Sequence, residues 1–68
     1  MKETKIKFIR EYEAYNHTWY DIIYKSGRCH TVMDDISKTA KEFIDKATIR
    51  REQYDRTVNR PEVIYMME

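Results

Sequence analysis

Residues 18–24, Thr-Trp-Tyr-Asp-Ile-Ile-Tyr, are apolar on both sides when drawn as a β-strand. Side chains alternate across a strand, so Trp19 and Ile23 point one way while Tyr20, Ile22 and Tyr24 point the other. Such a strand needs cover on both faces, yet the chain offers one long amphipathic stretch to supply a helix. One face is therefore expected to pack on that helix and the other to stay partly uncovered and aromatic. An uncovered apolar patch marks a contact with a second copy or with another molecule.

The flanking segments supply neighbours for this strand. Residues 5–13 alternate, with Ile6, Phe8, Arg10 and Tyr12 on one side and Ile9 the apolar exception on the other. Residues 14–17 read as a turn pivoting on Asn16, which tolerates positive φ. Ser26-Gly27 places the chain's one glycine at a second hairpin turn, followed by a strand over 28–33. Pairing Ala14 with His17 sets Tyr12 against Trp19, Arg10 against Asp21 and Phe8 against Ile23. That register matches the two charges that interrupt an otherwise apolar face. A bulge at Gly27 adds Cys29 and Met33 to that face and leaves Tyr20, Ile22, Tyr24, His30 and Val32 opposite, with Ile9. A two-residue turn without a bulge exchanges the faces of the third strand, and the sequence leaves both open.

Residues 35–57 read as one helix, because Ile36, Ala40, Phe43, Ile44, Ala47, Tyr54 and Val58 follow helical spacing. Asp34 or Asp35 is the expected N-cap. The stripe weakens at Thr48-Ile49-Arg50-Arg51, and Asn59 with Pro61 ends the pattern. Whether residues 62–66 add a short edge strand stays open. The expected fold is α+β, a single domain over 1–68 with an antiparallel three-stranded sheet on one long helix (βββα). Trp19 is expected to be a core anchor.

Composition narrows function more than it defines it. A 68-residue chain buries only about 60% of its unfolded surface, which favours self-association or a partner. Net charge of +1 supplies no overall field that selects nucleic acid or an anionic membrane. A single cysteine excludes an internal disulfide framework. No run approaches the roughly 20 apolar residues of a membrane span, and Lys2-Glu3-Thr4-Lys5 after Met1 does not open a signal peptide. A cytoplasmic protein without membrane association is expected. Abundant Ile, Lys and Tyr with little Ala and Gly resembles the composition of small accessory proteins of AT-rich bacteria and their phages.

Cys29-His30 is not read as a nucleophile–base pair, since strand neighbours point to opposite faces. One Cys and two His do not make the paired ligand spacing of a zinc site, so neither metal nor cofactor is expected. The expected function is a non-enzymatic protein-interaction module, of the kind with which phages and mobile elements inhibit or redirect a host protein. Its expected contact residues are Tyr20, Ile22, Tyr24 and His30, engaging a protein partner or a second copy in a homodimer. The alternative is nucleic-acid binding, with sheet tyrosines stacking on bases and Arg50, Arg51 and Arg56 of the helix on phosphates. Three strands followed by a helix opening Ser37-Lys38-Thr39-Ala40-Lys41 is similar to the later part of a double-stranded RNA-binding domain, over about half the chain. The family's first helix is missing, and Asp34 and Asp35 stand where they would repel phosphate, so its function is not carried over.

Overall fold

The computed structural model describes residues 5–68. In chain order the elements are β1 (Ile6–Ala14), β2 (His17–Tyr24), β3 (Cys29–Met33), α1 (Lys38–Lys46), β4 (Ile49–Asp55) and β5 (Arg60–Met66). The five strands form one antiparallel sheet in the order β3-β2-β1-β5-β4.

The first hairpin has the register set by Arg10 and Asp21, with Tyr12 opposite Trp19 and Phe8 opposite Ile23. Tyr15 and Asn16 take φ of 54° and 65°, as a tight hairpin with positive φ at both central residues requires. Gly27 sits at φ 96° in the second turn, where a side chain would be strained. The third strand takes the bulged alternative, so Met33 faces Trp19 and Cys29 faces Ile23.

The second half of the chain overturns the expected βββα fold. The helix spans nine residues, and much of its expected second half is β4. Tyr54 and Val58, read as helix stripe, are instead an exposed strand residue and an exposed residue of the β4–β5 turn. Arg, Glu and Gln are good helix formers, which is why Ile49–Asp55 reads as helix locally. The β-branched pair Thr48-Ile49 weakens continuation, and Ala47 closes the helix with extended backbone and an N–H donated to Ile44 O. The segment at 62–66 is not an edge: β5 lies between β1 and β4. Its apolar run Val63-Ile64-Tyr65 suits a strand with neighbours on both sides. Pro61 lies one residue past the β1–β5 ladder, where its missing N–H costs that ladder nothing. Two strands after the helix also depart from the RNA-binding family, whose domain this chain resembled only as far as a last helix.

The helix packs on the Ile9–Ile22 face and not on the Trp19 face. Ile9, Ile22 and Ala40 form the buried centre, with Tyr20, Tyr24, Val32, Ile36, Phe43 and Ile44 packed around them. Trp19 lies on the opposite side of β2 and is half-buried. The reason is the charge at each face centre. The Trp19 face has Arg10 and Asp21 at its middle, whereas the other has Ile9 and Ile22. Covering an ion pair with an apolar helix carries a desolvation cost that two isoleucines avoid.

The cap also differs from expectation. Ser37 is the N-cap, and its hydroxyl accepts from Ala40 N–H at 3.2 Å. Asp34, at φ 63°, instead ties the end of β3 to the start of β2. Its carboxylate accepts from Thr18 N–H at 3.0 Å and lies 2.7 Å from His17 Nδ1. The Thr18 bond, then His17, holds the Asp34 carboxyl below its ordinary range.

Three tyrosines have pKa values raised above the usual 10.0, first by burial and then by carboxylates: Asp21 for Tyr12, Glu11 for Tyr20 and Tyr65. A raised folded-state value favours the neutral phenol in the native protein. Its contribution is complete below pH 10 and is lost as pH rises through the raised values. The urea midpoint should therefore fall above pH 10, and a Tyr12→Phe/Tyr65→Phe variant should show a flatter decline. Equal slopes in the two proteins would remove these phenols from the alkaline transition.

Candidate functional site

The helix-free face is organised as three rows running across all five strands. The first is Met33-Trp19-Tyr12-Glu62-Gln53. The middle row is Thr31-Asp21-Arg10-Ile64-Arg51, and the third is Cys29-Ile23-Phe8-Met66-Ile49. Polar chemistry thus runs through the middle, with aromatic and aliphatic side chains on both flanks of its β1–β2 portion.

Asp21 holds the middle row together. Its Oδ1 accepts from Thr31 Oγ1–H at 2.8 Å and from the Tyr12 hydroxyl at 3.1 Å. Arg10 Nε lies 3.4 Å from Asp21 Oδ2, within ion-pair range but without hydrogen-bond alignment. Ile64 is buried between Arg10 and Arg51 in register. Trp19 donates its indole N–H to Ala14 O at 2.8 Å, which fixes the ring over the first hairpin. The Arg60 guanidinium stacks 3.6 Å from the centre of the Tyr12 ring. Glu62 is 3% exposed; its Oε2 accepts from Gln53 Nε2–H at 2.5 Å, and its Oε1 has no protein partner.

A cleft of about 630 Å³ is lined by residues of β1, β4 and β5, including Tyr12, Gln53 and Glu62 of this face. Glu11, Glu13, Glu52 and Glu62 line it together with Tyr12, Gln53, Pro61 and Val63, with no basic residue among them. The carboxylates make it unfavourable for phosphate.

The expected contact residues separate. Tyr20, Ile22 and Tyr24 pack with the core on the α1 side of the sheet and do not form an open aromatic face. His30 is exposed on β3. Arg50 and Arg51 are not helix residues; they occupy β4 on opposite faces, and Arg56 lies in the β4–β5 turn. Arg50 is engaged by Glu52 at 2.5 Å. Cys29 is exposed, and His30 projects to the other side of the sheet. Among the described residues no group of three His, Cys, Asp or Glu could hold a metal ion, and no helix is long and apolar enough to cross a membrane. Of the helix-free face only Arg51 is among the contacts expected from sequence; Phe8, Arg10, Tyr12 and Trp19 are not, although the central Arg10–Asp21 pair signals which side a helix avoids. No protein-family model, curated protein or solved structure matches the chain.

Proposed function

We propose that this is a non-enzymatic, cytoplasmic protein-binding module that engages another protein through its helix-free sheet face. One observation carries the reading. Among the described residues a single nine-residue helix covers one side of a five-stranded sheet, and the other side keeps Phe8, Trp19, Ile23 and Met66 half-buried and Met33 43% exposed. Trp, Tyr and Arg are the residues that dominate protein interfaces, and Trp19, Tyr12, Arg10 and Arg51 share this face. The side chains are also held in place before contact, by Ala14 O for Trp19 and by Arg60 for Tyr12. Preorganised anchors lose less entropy on binding.

Nucleic acid is the weaker occupant. One face of the Tyr12 ring is taken by Arg60, Arg10 is neutralised by Asp21, and Glu62 sits in the same row as the aromatics. The four-glutamate cleft adjoins it. A non-enzymatic role is supported by Cys29 and His30 projecting to opposite faces.

The test is capture of host proteins on the immobilised chain after nuclease treatment, comparing the parent with a Phe8→Ala/Trp19→Ala variant of confirmed fold. A specific protein should be retained by the parent, and its affinity for the variant should fall about thirtyfold, corresponding to roughly 2 kcal/mol at an interface hot spot. Retention that nuclease abolishes, that falls steeply with salt and that Arg50→Gln/Arg51→Gln/Arg56→Gln weakens would replace this reading with nucleic-acid binding.

A further inference from the structure

The sheet has two edges, β3 and β4, and they differ in chemistry. Exposed edges invite strand addition, and proteins ordinarily blunt them with charge, proline or bulges. β4 is blunted, carrying Arg50, Arg51, Glu52 and Asp55 among seven residues. β3 is Cys-His-Thr-Val-Met, with no Asp, Glu, Lys, Arg, Pro or Gly, in a chain that is 37% charged. All of it but Val32 is exposed.

Charge reappears just outside β3, with opposite sign at its two ends. Arg28 stands three residues before Thr31 and Asp34 three residues after it. In an antiparallel pair of identical strands centred on Thr31, a residue three before the centre faces one three after. Arg28 of each copy then lies near Asp34 of the other, just past the ends of the ladder, where the Asp34 carboxylate also accepts from Thr18 N–H and faces His17 Nδ1, so opposite charges flank both ends. Between them Thr31 faces Thr31, His30 faces Val32 and Cys29 faces Met33, with no like charges opposed. Centring on His30 or Val32 instead loses both charge pairs. β4 does less well: centring it on Arg50, Arg51 or Glu52 opposes like charges, centring on Gln53 pairs Arg51 with Asp55 but sets Arg50 against Arg56, and centring on Tyr54 pairs Glu52 with Arg56 but keeps only residues 53–55 of the strand in the ladder.

We propose that the protein dimerises by antiparallel pairing of β3 with β3 of a second copy, about a two-fold axis at Thr31. The product is a continuous ten-stranded sheet. Across the axis the Met33-Trp19 row of one copy runs into the Cys29-Ile23 row of the other, which joins the two helix-free faces into one surface. The dimer forms through an edge, so it stands independently of the partner-binding reading. A monomer that still captures a partner defeats only the dimer, and a dimer without a partner defeats only the other reading.

Sedimentation equilibrium of the full chain should show a dimer at micromolar concentration. Thr31→Lys opposes two ammonium groups at the axis and should raise the dissociation constant at least about tenfold, with melting of the dilute protein as the fold control. Register is read by cross-linking. Directly opposed strand residues have Cα atoms about 4.5–5.5 Å apart, within disulfide reach. A Cys29→Ser/Thr31→Cys variant should therefore oxidise to a covalent dimer. The native Cys29 thiols lie about four residues out of register, ~14 Å, and should not cross-link in the parent. A parent that stays monomeric to millimolar concentration overturns the proposal. So does a dimer that Thr31→Lys leaves intact, or one that cross-links through Cys29 and not through position 31.

Discussion

Replacing Ile9 with alanine should cost about 2–5 kcal/mol, the largest loss expected from any single truncation in the chain. Ile9 has no exposed surface, and it sits on the central strand with Ile22 beside it on β2 and Tyr65 beside it on β5. Ala40 of the helix belongs to the same buried cluster. A cavity there is enclosed on three sides by elements that the hydrogen-bonded sheet prevents from collapsing. A domain of this length has a total stability of roughly 3–10 kcal/mol, so the variant should be largely unfolded or close to it. Trp19→Ala is the informative control. Trp19 has the larger side chain, but it is half-buried on the side without a helix, so its truncation should lower the urea midpoint less than Ile9→Ala does. A reversed order would mean that the helix-free face, and not the Ile9 side, is the principal core.

The ranking of those two residues shows where sequence was enough and where it was not. The first hairpin was legible because two charges on one apolar face, Arg10 and Asp21, admit a register that pairs them, and the structure has it. The positions flanking the turns followed from Asn16 and Gly27, which tolerate positive φ at low cost. The buried face is not the one that aromatic size suggests, for a reason equally present in the sequence: Trp19 is the larger aromatic, but the charges at the middle of its face decide against burying it under a helix. Tyr20, Ile22 and Tyr24 consequently pack with the core on the helix side instead of forming an open face. The error over Ile49–Asp55 is of another kind. Arg-Arg-Glu-Gln-Tyr carries no strand alternation and has good helix propensity, and it becomes a strand because β5 presents a ladder to it. That ladder is a long-range contact, and no local window contains it. The candidate site inherits both errors, since its rows draw on β4 and β5 as well as on the face chosen.

Asp21→Ala should cost about 2–3 kcal/mol, and the loss should come from the groups left behind. Asp21 and Arg10 are 15% and 29% exposed, and Asp21 also accepts from Tyr12 and Thr31. Removing the carboxylate leaves a partly buried guanidinium and two hydroxyls without their acceptor, and orphaned groups of this kind are costly. Asp21→Asn keeps an oxygen for the hydroxyls and loses only the charge, so it should fall between the parent and Asp21→Ala. Removing both charges together in Arg10→Met/Asp21→Leu should be milder than Asp21→Ala alone, because a pair of apolar side chains leaves no uncompensated ion. The double-mutant cycle between positions 10 and 21, read from urea unfolding, measures the coupling directly. Additive losses in that cycle would mean that Arg10 gains nothing from Asp21. Its position opposite Asp21 would then be a consequence of register and not a reason for it.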